Sequence, residues 1–173
     1  MSALEIHRAL LEKWRVAMDL VGPGPLDAHF KDAAGAVAGL QVTGRWADLG
    51  SGAGFPGVAL AVAFPDAEVW LVESRQKRAT FLETVVHDAG LRNARVVRAR
   101  AEDLEGGFDG VIARAFVPEP EYLALGRRLV REGGQVVHLL GDEVGPPAEG
   151  WASVVETRYR VGGGHRRRRD YTR

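Results

Sequence analysis

The 173-residue chain contains no cysteine. That absence excludes a disulfide framework, a thiolate nucleophile, a zinc site built on sulfur and any enzymatic step that runs through a covalent cysteine adduct. Long apolar runs are missing too: none approaches the ~20 residues that a membrane-spanning helix needs, and the N-terminus lacks the basic-then-apolar order of a signal peptide. No membrane partner is expected, and the cytoplasm is the expected location. Lysine is scarce, with Lys13, Lys31 and Lys77 the only three among 23 basic residues. The bias carries little functional weight. The five histidines, His7, His29, His87, His138 and His165, lack ligand spacing. No metal site is therefore expected, and each reads as a surface or helix residue, except that His138 falls in a predicted buried strand as a satisfied core histidine.

What remains is an ordinary globular composition, 46% hydrophobic and 27% charged, with a length that suits one compact domain and not two. A monomer is expected. The net charge of zero conceals an asymmetry. From Arg158 onward there are seven arginines against one acid, a charge of +6, so residues 1–157 carry −6. Such a split reads either as a basic tail that meets a polyanion or as a solvated, frayed terminus.

Along the chain, Ser2-Ala3-Leu4-Glu5 has capping-box spacing, and Leu10, Leu11, Trp14 and Met18 then recur at helical intervals. Gly22-Pro23-Gly24-Pro25 ends this helix, and a second is predicted from about Leu26 to Leu40. From Arg45 short apolar strands alternate with helical segments, the pattern of βαβ units and a parallel sheet. Five strands are predicted at Trp46–Leu49, Val69–Val72, Ala94–Val97, Phe108–Ile112 and Gln135–Leu140, with helices beginning near Pro56, Gln76 and Glu119. Ser153–Arg160 and Arg166–Tyr171 are candidates for a terminal hairpin across Gly162-Gly163-Gly164, although four consecutive arginines make a poor buried strand. The resulting division is a helical extension over 1–44, a ligand-binding βαβ core over 45–141, and a hairpin with a basic tail over 142–173.

The chemistry is expected at the loop Asp48-Leu49-Gly50-Ser51-Gly52-Ala53-Gly54. A strand, a glycine-rich turn and a helix place backbone N–H groups and a helix N-terminus at the carboxyl end of the sheet, where ligands bind in open α/β folds. Gly52-Ala53-Gly54-Phe55-Pro56-Gly57 also satisfies G-x-G-x-x-G, and Glu73 ends the next strand 21 residues after Gly52, a spacing that alone suits a nicotinamide dinucleotide equally. Three features favour S-adenosyl-L-methionine instead. Asp48 puts a carboxylate where the positively charged methionine end of that donor would lie. The strands that follow leave no room for a separate substrate domain. Glu102 falls just past the third strand, where an adenine would lie. Glu73 would accept hydrogen bonds from ribose hydroxyls in either case, and a purely structural glycine turn is the remaining alternative. The expected architecture is thus α/β, a Rossmann-like class I methyltransferase fold with a mostly parallel twisted sheet, helices on both faces and a short helical N-terminal extension.

The run "ADLGSGAGFPGVALAVAFPDAEVWLVESRQKRATFLETV", followed by "ARAEDL", "FDGVIARAF" and "EGGQVVHLLG", closely resembles the bacterial small-subunit ribosomal RNA guanine-N7 methyltransferases, once called glucose-inhibited division protein B. The resemblance extends from about Leu10 to Gly141, and "LLEKWRVAMDLVGP" and "AHFKDA" are similar to that family's N-terminal motifs. It implies S-adenosyl-L-methionine as cofactor and ribosomal RNA or the small ribosomal subunit as partner, with N7 of a guanine in 16S rRNA as acceptor. It also implies that Gly50 and Phe55 contact the cofactor and that Ala101 and Glu102 flank its adenine. Arg114 would stand at the end of the fourth strand, facing the reaction cleft with a guanidinium suited to a phosphate or to the guanine. An ion pair of Arg114 with Glu102 or Asp109 is the structural alternative.

Attack by guanine N7 needs no prior proton removal, and the sequence agrees. Enzymes that methylate exocyclic amines of bases carry an Asn/Asp-Pro-Pro-aromatic tetrad after the fourth strand, where this chain has Ala113-Arg114-Ala115-Phe116. Phe116 suits stacking on a base or a place in the core. Three departures from the family pattern are Leu140 in place of a lysine, Arg15 in place of an asparagine and Ala33 in place of a serine. A fourth is the substitution of "GHRRRRDYTR" for an apolar last strand. These changes are expected on the substrate side. Two other functions stay open: a small-molecule methyltransferase with the same donor loop, and a non-catalytic RNA-binding protein that kept it.

Overall fold

Seven strands form one sheet in the computed structural model of the chain, which describes residues 1–22, 24–141 and 145–173. Helix α1 (Ala3–Met18) opens on the capping box read from the sequence: Glu5 N–H donates to Ser2 Oγ, and Ser2 N–H donates to Glu5 Oε2 at 2.6 Å. Helix α2 (Leu26–Val37) follows and stops three residues before the expected end at Leu40. The core then runs β1 (Arg45–Leu49), α3 (Gly57–Ala63), β2 (Glu68–Val72), α4 (Gln76–Asp88), β3 (Ala94–Val97), a 3₁₀ turn (Ala101–Asp103), β4 (Phe108–Arg114), α5 (Glu119–Leu129) and β5 (Val130–Leu140). All five expected strands are present; β4 and β5 are longer than expected because their registers continue to Arg114↔Leu139 and back to Phe108↔Val130.

The strand order is β3-β2-β1-β4-β5-β7-β6, with β6 (Ser153–Val161) and β7 (Gly164–Thr172) forming the hairpin. β1 to β5 are parallel, and β7 runs antiparallel between β5 and β6. Connections to β2 and β4 leave β1 in opposite directions, which opens a crevice at the carboxyl ends of β1 and β4 where open α/β sheets bind ligands. One face of the sheet buries Leu11, Trp46, Leu60, Phe81 and Leu82 beneath α1 to α4; the other buries Phe108, Tyr122, Leu129 and Tyr171 beneath α5. Among the described residues no helix is long and apolar enough to cross a membrane.

The four-arginine run is not a tail. It lies within β7, an interior strand, and Arg168 and Arg169 are only 3% and 2% exposed. Alternate strand residues face opposite sides of a sheet, so the run divides two and two. Arg168 points to the α2 side, donates two hydrogen bonds to Asp170 at 2.8 and 2.9 Å, and donates through Nη1 to the carbonyls of Ala36 and Ala38 at the end of α2. A guanidinium there satisfies carbonyls left free by the helix and sits at the negative end of its dipole. Arg169 points to the α5 side, donating to Glu156 Oε2 at 3.0 Å and to Glu119 Oε1 at 3.4 Å. The arginines are tolerated in the interior because each fork is matched by carboxylates and carbonyls.

Candidate active site

A cleft of about 410 Å³ opens at the carboxyl ends of β1 and β2, within the size range of small-molecule sites. Gly50, Glu73, Ala101 and Glu102 line it, four of the residues expected around the cofactor, together with Arg78 and Phe116. The loop after β1 is held open by the carboxylate of Glu73, whose Oε2 accepts from Gly52 N–H at 3.0 Å and whose Oε1 accepts from Arg75 N–H at 2.8 Å. Each oxygen retains a lone pair for a ligand hydroxyl. Gly50 adopts φ +72°, and a β-carbon there would meet the Phe116 ring at 2.5 Å. The glycine thus lets the Phe116 ring close over the sheet end as an aromatic wall of the cleft, and with the free lone pairs of Glu73 the residues present fit a nucleoside-bearing donor.

Asp48 is completely buried beneath this loop and does not line the cleft. Its Oδ2 accepts from Gly57 N–H at 3.0 Å, and a β-carbon on residue 57 would stand 2.4 Å from that oxygen, which explains the glycine. Among the described residues its Oδ1 has no hydrogen-bond partner. Burial pushes the Asp48 carboxyl up to about 6, against the opposing pull of the Gly57 hydrogen bond. The acid therefore braces the loop and leaves one buried oxygen unmatched. Gly52 and Gly54 shape the turn with φ +54° and +94° and also lie outside the cleft wall.

His7, read from the sequence as a surface or helix residue, is fully buried on α1 and faces Ala53 O through Nε2 at 2.7 Å. Burial drives its imidazole down to about 4. The neutral ring donates this hydrogen bond and so ties the N-terminal helix to the donor loop. Its ring also packs against Phe55, with centroids 5.0 Å apart. Phe55, expected to touch the cofactor, is 4% exposed and lies with His7, His29 and Phe30 outside the donor cleft.

A second cleft, about 590 Å³, is lined by His29, Asp32, Arg114, Leu140, Tyr159 and Arg166 among others. The two clefts share Ala115, which holds φ +48° between them. Arg114 faces this second space, not the donor cleft. Its partner is neither Glu102 nor Asp109: Nη1 donates to Asp32 Oδ2 at 3.1 Å, and the guanidinium lies 5.1 Å from the centroid of Phe55. Glu102 instead pairs with Arg100, and Asp109 with Arg131. The other oxygen of Asp32 accepts from Tyr159 Oη at 2.9 Å. Tyr159 reaches Asp32 across α2 because residue 35 is glycine; a β-carbon there would fall 2.2 Å from the tyrosine ring. Asp32 and Tyr159 lie 127 positions apart, and no local motif joins them.

Of the departures from the family pattern, Leu140 and, from the altered last strand, Arg166 line the second cleft. Ala33 is buried in the α2 core and Arg15 caps the turn after α1 by donating to Gly24 O, so these two are packing and turn positions. Among the described residues no cluster of His, Asp or Glu is arranged to hold a metal ion.

Comparison with solved structures places this fold among methyltransferases. A putative O-methyltransferase from Klebsiella pneumoniae superposes with TM-score 0.69 at 16% identity over 96% of this chain and 89% of that one. The apo S-adenosylmethionine-dependent methyltransferase SibL gives 0.68 at 17% identity over 97% and 69%. Sequence comparison is more specific. The chain is 37% identical over 144 residues to ribosomal RNA small subunit methyltransferase G of Chromobacterium violaceum, covering 80% of this chain and 69% of that protein. It is 35% identical over 155 residues to the Stenotrophomonas maltophilia enzyme of that name, covering 84% and 73%, and 41% identical over 135 residues to that of Nocardioides sp., covering 75% and 54%. The chain thus spans between 54% and 73% of the length of these three relatives. The family model described as GidB, rRNA small subunit methyltransferase G, matches residues 1–149, and the chain belongs to this family of S-adenosylmethionine-dependent methyltransferases.

Proposed function

We propose that this chain methylates N7 of a guanine in 16S rRNA, with the donor in the Gly50–Glu73 cleft and the base in the Arg114 cleft. The observation that carries this reading is the junction of the two clefts at Ala115. A donor and an acceptor held on either side of that residue meet without crossing the core. When bound, S-adenosyl-L-methionine supplies an electrophilic methyl group on a positively charged sulfur.

Glu73 holds the ribose side of the donor through the lone pairs left by Gly52 and Arg75 N–H, and Ala101 and Glu102 form the wall beside the adenine. Guanine N7 attacks through a free lone pair, so no side chain has to accept a proton first. The chain's contribution is alignment and charge placement. Methyl transfer leaves positive charge on the purine, and a bare guanidinium would oppose it. Asp32, fixed by Tyr159, balances Arg114 and makes it an orienting hydrogen-bond donor toward the guanine edge or its phosphate.

The test is methyl transfer from labelled donor to naked 16S rRNA and to small ribosomal subunits, alongside calorimetric donor binding. Glu73→Ala is expected to weaken donor binding by ~1.5–3 kcal/mol, as for a lost hydrogen bond to a charged group. Arg114→Ala is expected to lower turnover by about 10²-fold or more while changing donor affinity less. Methylation of a small molecule but of neither RNA would overturn the assignment, as would full activity of Arg114→Ala.

A further inference from the structure

Resting on the RNA reading just given, we propose that the α5-side face of the β6–β7 hairpin docks the phosphodiester backbone of the rRNA substrate, away from the reaction cleft. The register sets Arg158 opposite Arg167 and Arg160 opposite His165, all on one face. Like charges placed directly across an antiparallel pair repel. Among the described residues of the hairpin, the one acid on that face is Glu156, shared by Arg158 at 3.8 Å, Arg167 at 3.3 Å and Arg169 at 3.0 Å. Among the described residues Arg160 has no carboxylate partner, and it is exposed, as is Arg158. Arg169 has Glu119 as a second partner, whereas Arg158 and Arg167 share Glu156 and Arg160 has none, so among the described residues the outer part of this face carries surplus positive charge.

The residues enclose a cleft of about 510 Å³ lined by Arg158, Tyr159, Arg160, His165 and Arg167. Guanidinium forks match the geometry of phosphate oxygens in pairs. The cleft also has a definite relation to the chemistry. Tyr159 lines both it and the Arg114 cleft, and Ala115 lines both the Arg114 cleft and the donor cleft. A strand of RNA that placed a base at Arg114 would leave along the hairpin. This surface lies beyond residues 1–149, the span matched by the family model.

The placement also separates the arginines by task. Arg168 and Arg169 are buried in carboxylate and carbonyl contacts and are structural; Arg158, held only by a long contact with Glu156 at 3.8 Å, and Arg160 are exposed and can turn to phosphates. The test is a full-length Arg158→Gln/Arg160→Gln variant, measured for 16S rRNA binding at several salt concentrations and for methyl-transfer kinetics. Each lost phosphate contact is expected to lower the slope of log affinity against log salt by ~0.7–0.9, so the double variant should lose about two contacts' worth of slope. KM for RNA should rise roughly tenfold or more at low salt, with turnover at saturating RNA and donor affinity unchanged. The matched Arg158→Lys/Arg160→Lys variant should retain the slope.

Unchanged RNA affinity and salt slope in the glutamine variant would overturn the docking site, and so would a fall in turnover with KM unchanged. The functional reading fails separately, if the unmodified chain transfers no methyl group to rRNA. Salt-sensitive rRNA binding that the glutamine variant loses would support the docking site even then; absence of rRNA binding by the unmodified chain would overturn both.

Discussion

The two halves of the cleft are built from different materials. On the donor side, short residues and backbone groups do the shaping: Gly50, Gly52 and Gly57 leave space, and Glu73 and Asp48 hold the N–H groups of the loop. On the acceptor side, long side chains from α2, β4 and β6 meet in an Arg114–Asp32–Tyr159 chain, with Arg168 pinning α2 to the sheet beside them. A backbone loop loses little side-chain entropy on ordering and tolerates little variation. A side-chain cluster is more costly to order and easier to retune. The donor half suits a ligand common to many enzymes, and the acceptor half is where specificity can change.

The sharpest way to break this comparison is to cut the pin. Arg168→Ala leaves the partly buried Asp170 without its partner and frees the carbonyls of Ala36 and Ala38, so a loss of about 3 kcal/mol or more is expected in denaturant unfolding. Its neighbour Arg166, exposed on the same face, should change stability by no more than ~0.5 kcal/mol when replaced by alanine. Equal effects would mean that the run does not divide into structural and free arginines.

A smaller effect probes the donor half. Asp48 titrates at about 6 when folded and near 3.8 when unfolded, so the folded chain holds this proton more tightly. The carboxyl is neutral and harmless below pH 4, and the cost of ionising it in the core grows as pH rises to 6 and is fully present above. Asp48→Asn removes that dependence. Relative to the unmodified chain, the variant should gain ~3 kcal/mol of stability between pH 4 and pH 8. His7 works in the opposite sense: its depressed pKa of about 4 makes protonation destabilising as pH falls below 6.5. The paired comparison at each pH isolates Asp48 from it. A gap that stays constant with pH would show that Asp48 is already ionised and matched in the absence of donor.

The smallest expected effect comes from Tyr159→Phe, which keeps the ring over Gly35 and removes one hydrogen bond to Asp32. Stability should fall by about 1 kcal/mol. If Asp32 needs that bond to hold Arg114 in place, turnover should fall severalfold with donor affinity unchanged, whereas an effect on stability alone would confine Tyr159 to packing.

The same contrast explains what the sequence revealed. Gly50, Glu73 and Glu102 were legible because each stands at or shortly after the end of a strand whose position the hydrophobic pattern fixes, and a parallel sheet brings successive strand ends to one edge; Ala101 was read only from the family resemblance. Arg114 was singled out by the family resemblance, which set it at the end of the fourth strand. Its partner was not, since Asp32 lies 82 positions earlier on a helix whose orientation depends on packing. His7 showed no signal beyond its place on the amphipathic α1. The run at 166–169 misled because a count of charge carries no information about pairing; only the alternation of β7 between α2 and α5 shows that half of those charges are internal.

β6 has a consequence of another kind. It is the outer strand of the sheet beyond β7, with its far side unpaired among the described residues, and it exposes Val155. An open strand edge is a template for pairing with a second molecule, and charge is a common means of preventing that. Arg158 and Arg160 on such an edge would keep two copies from zipping together by mutual repulsion. The residues proposed to meet a polyanion would in this sense also oppose the pairing of two such edges.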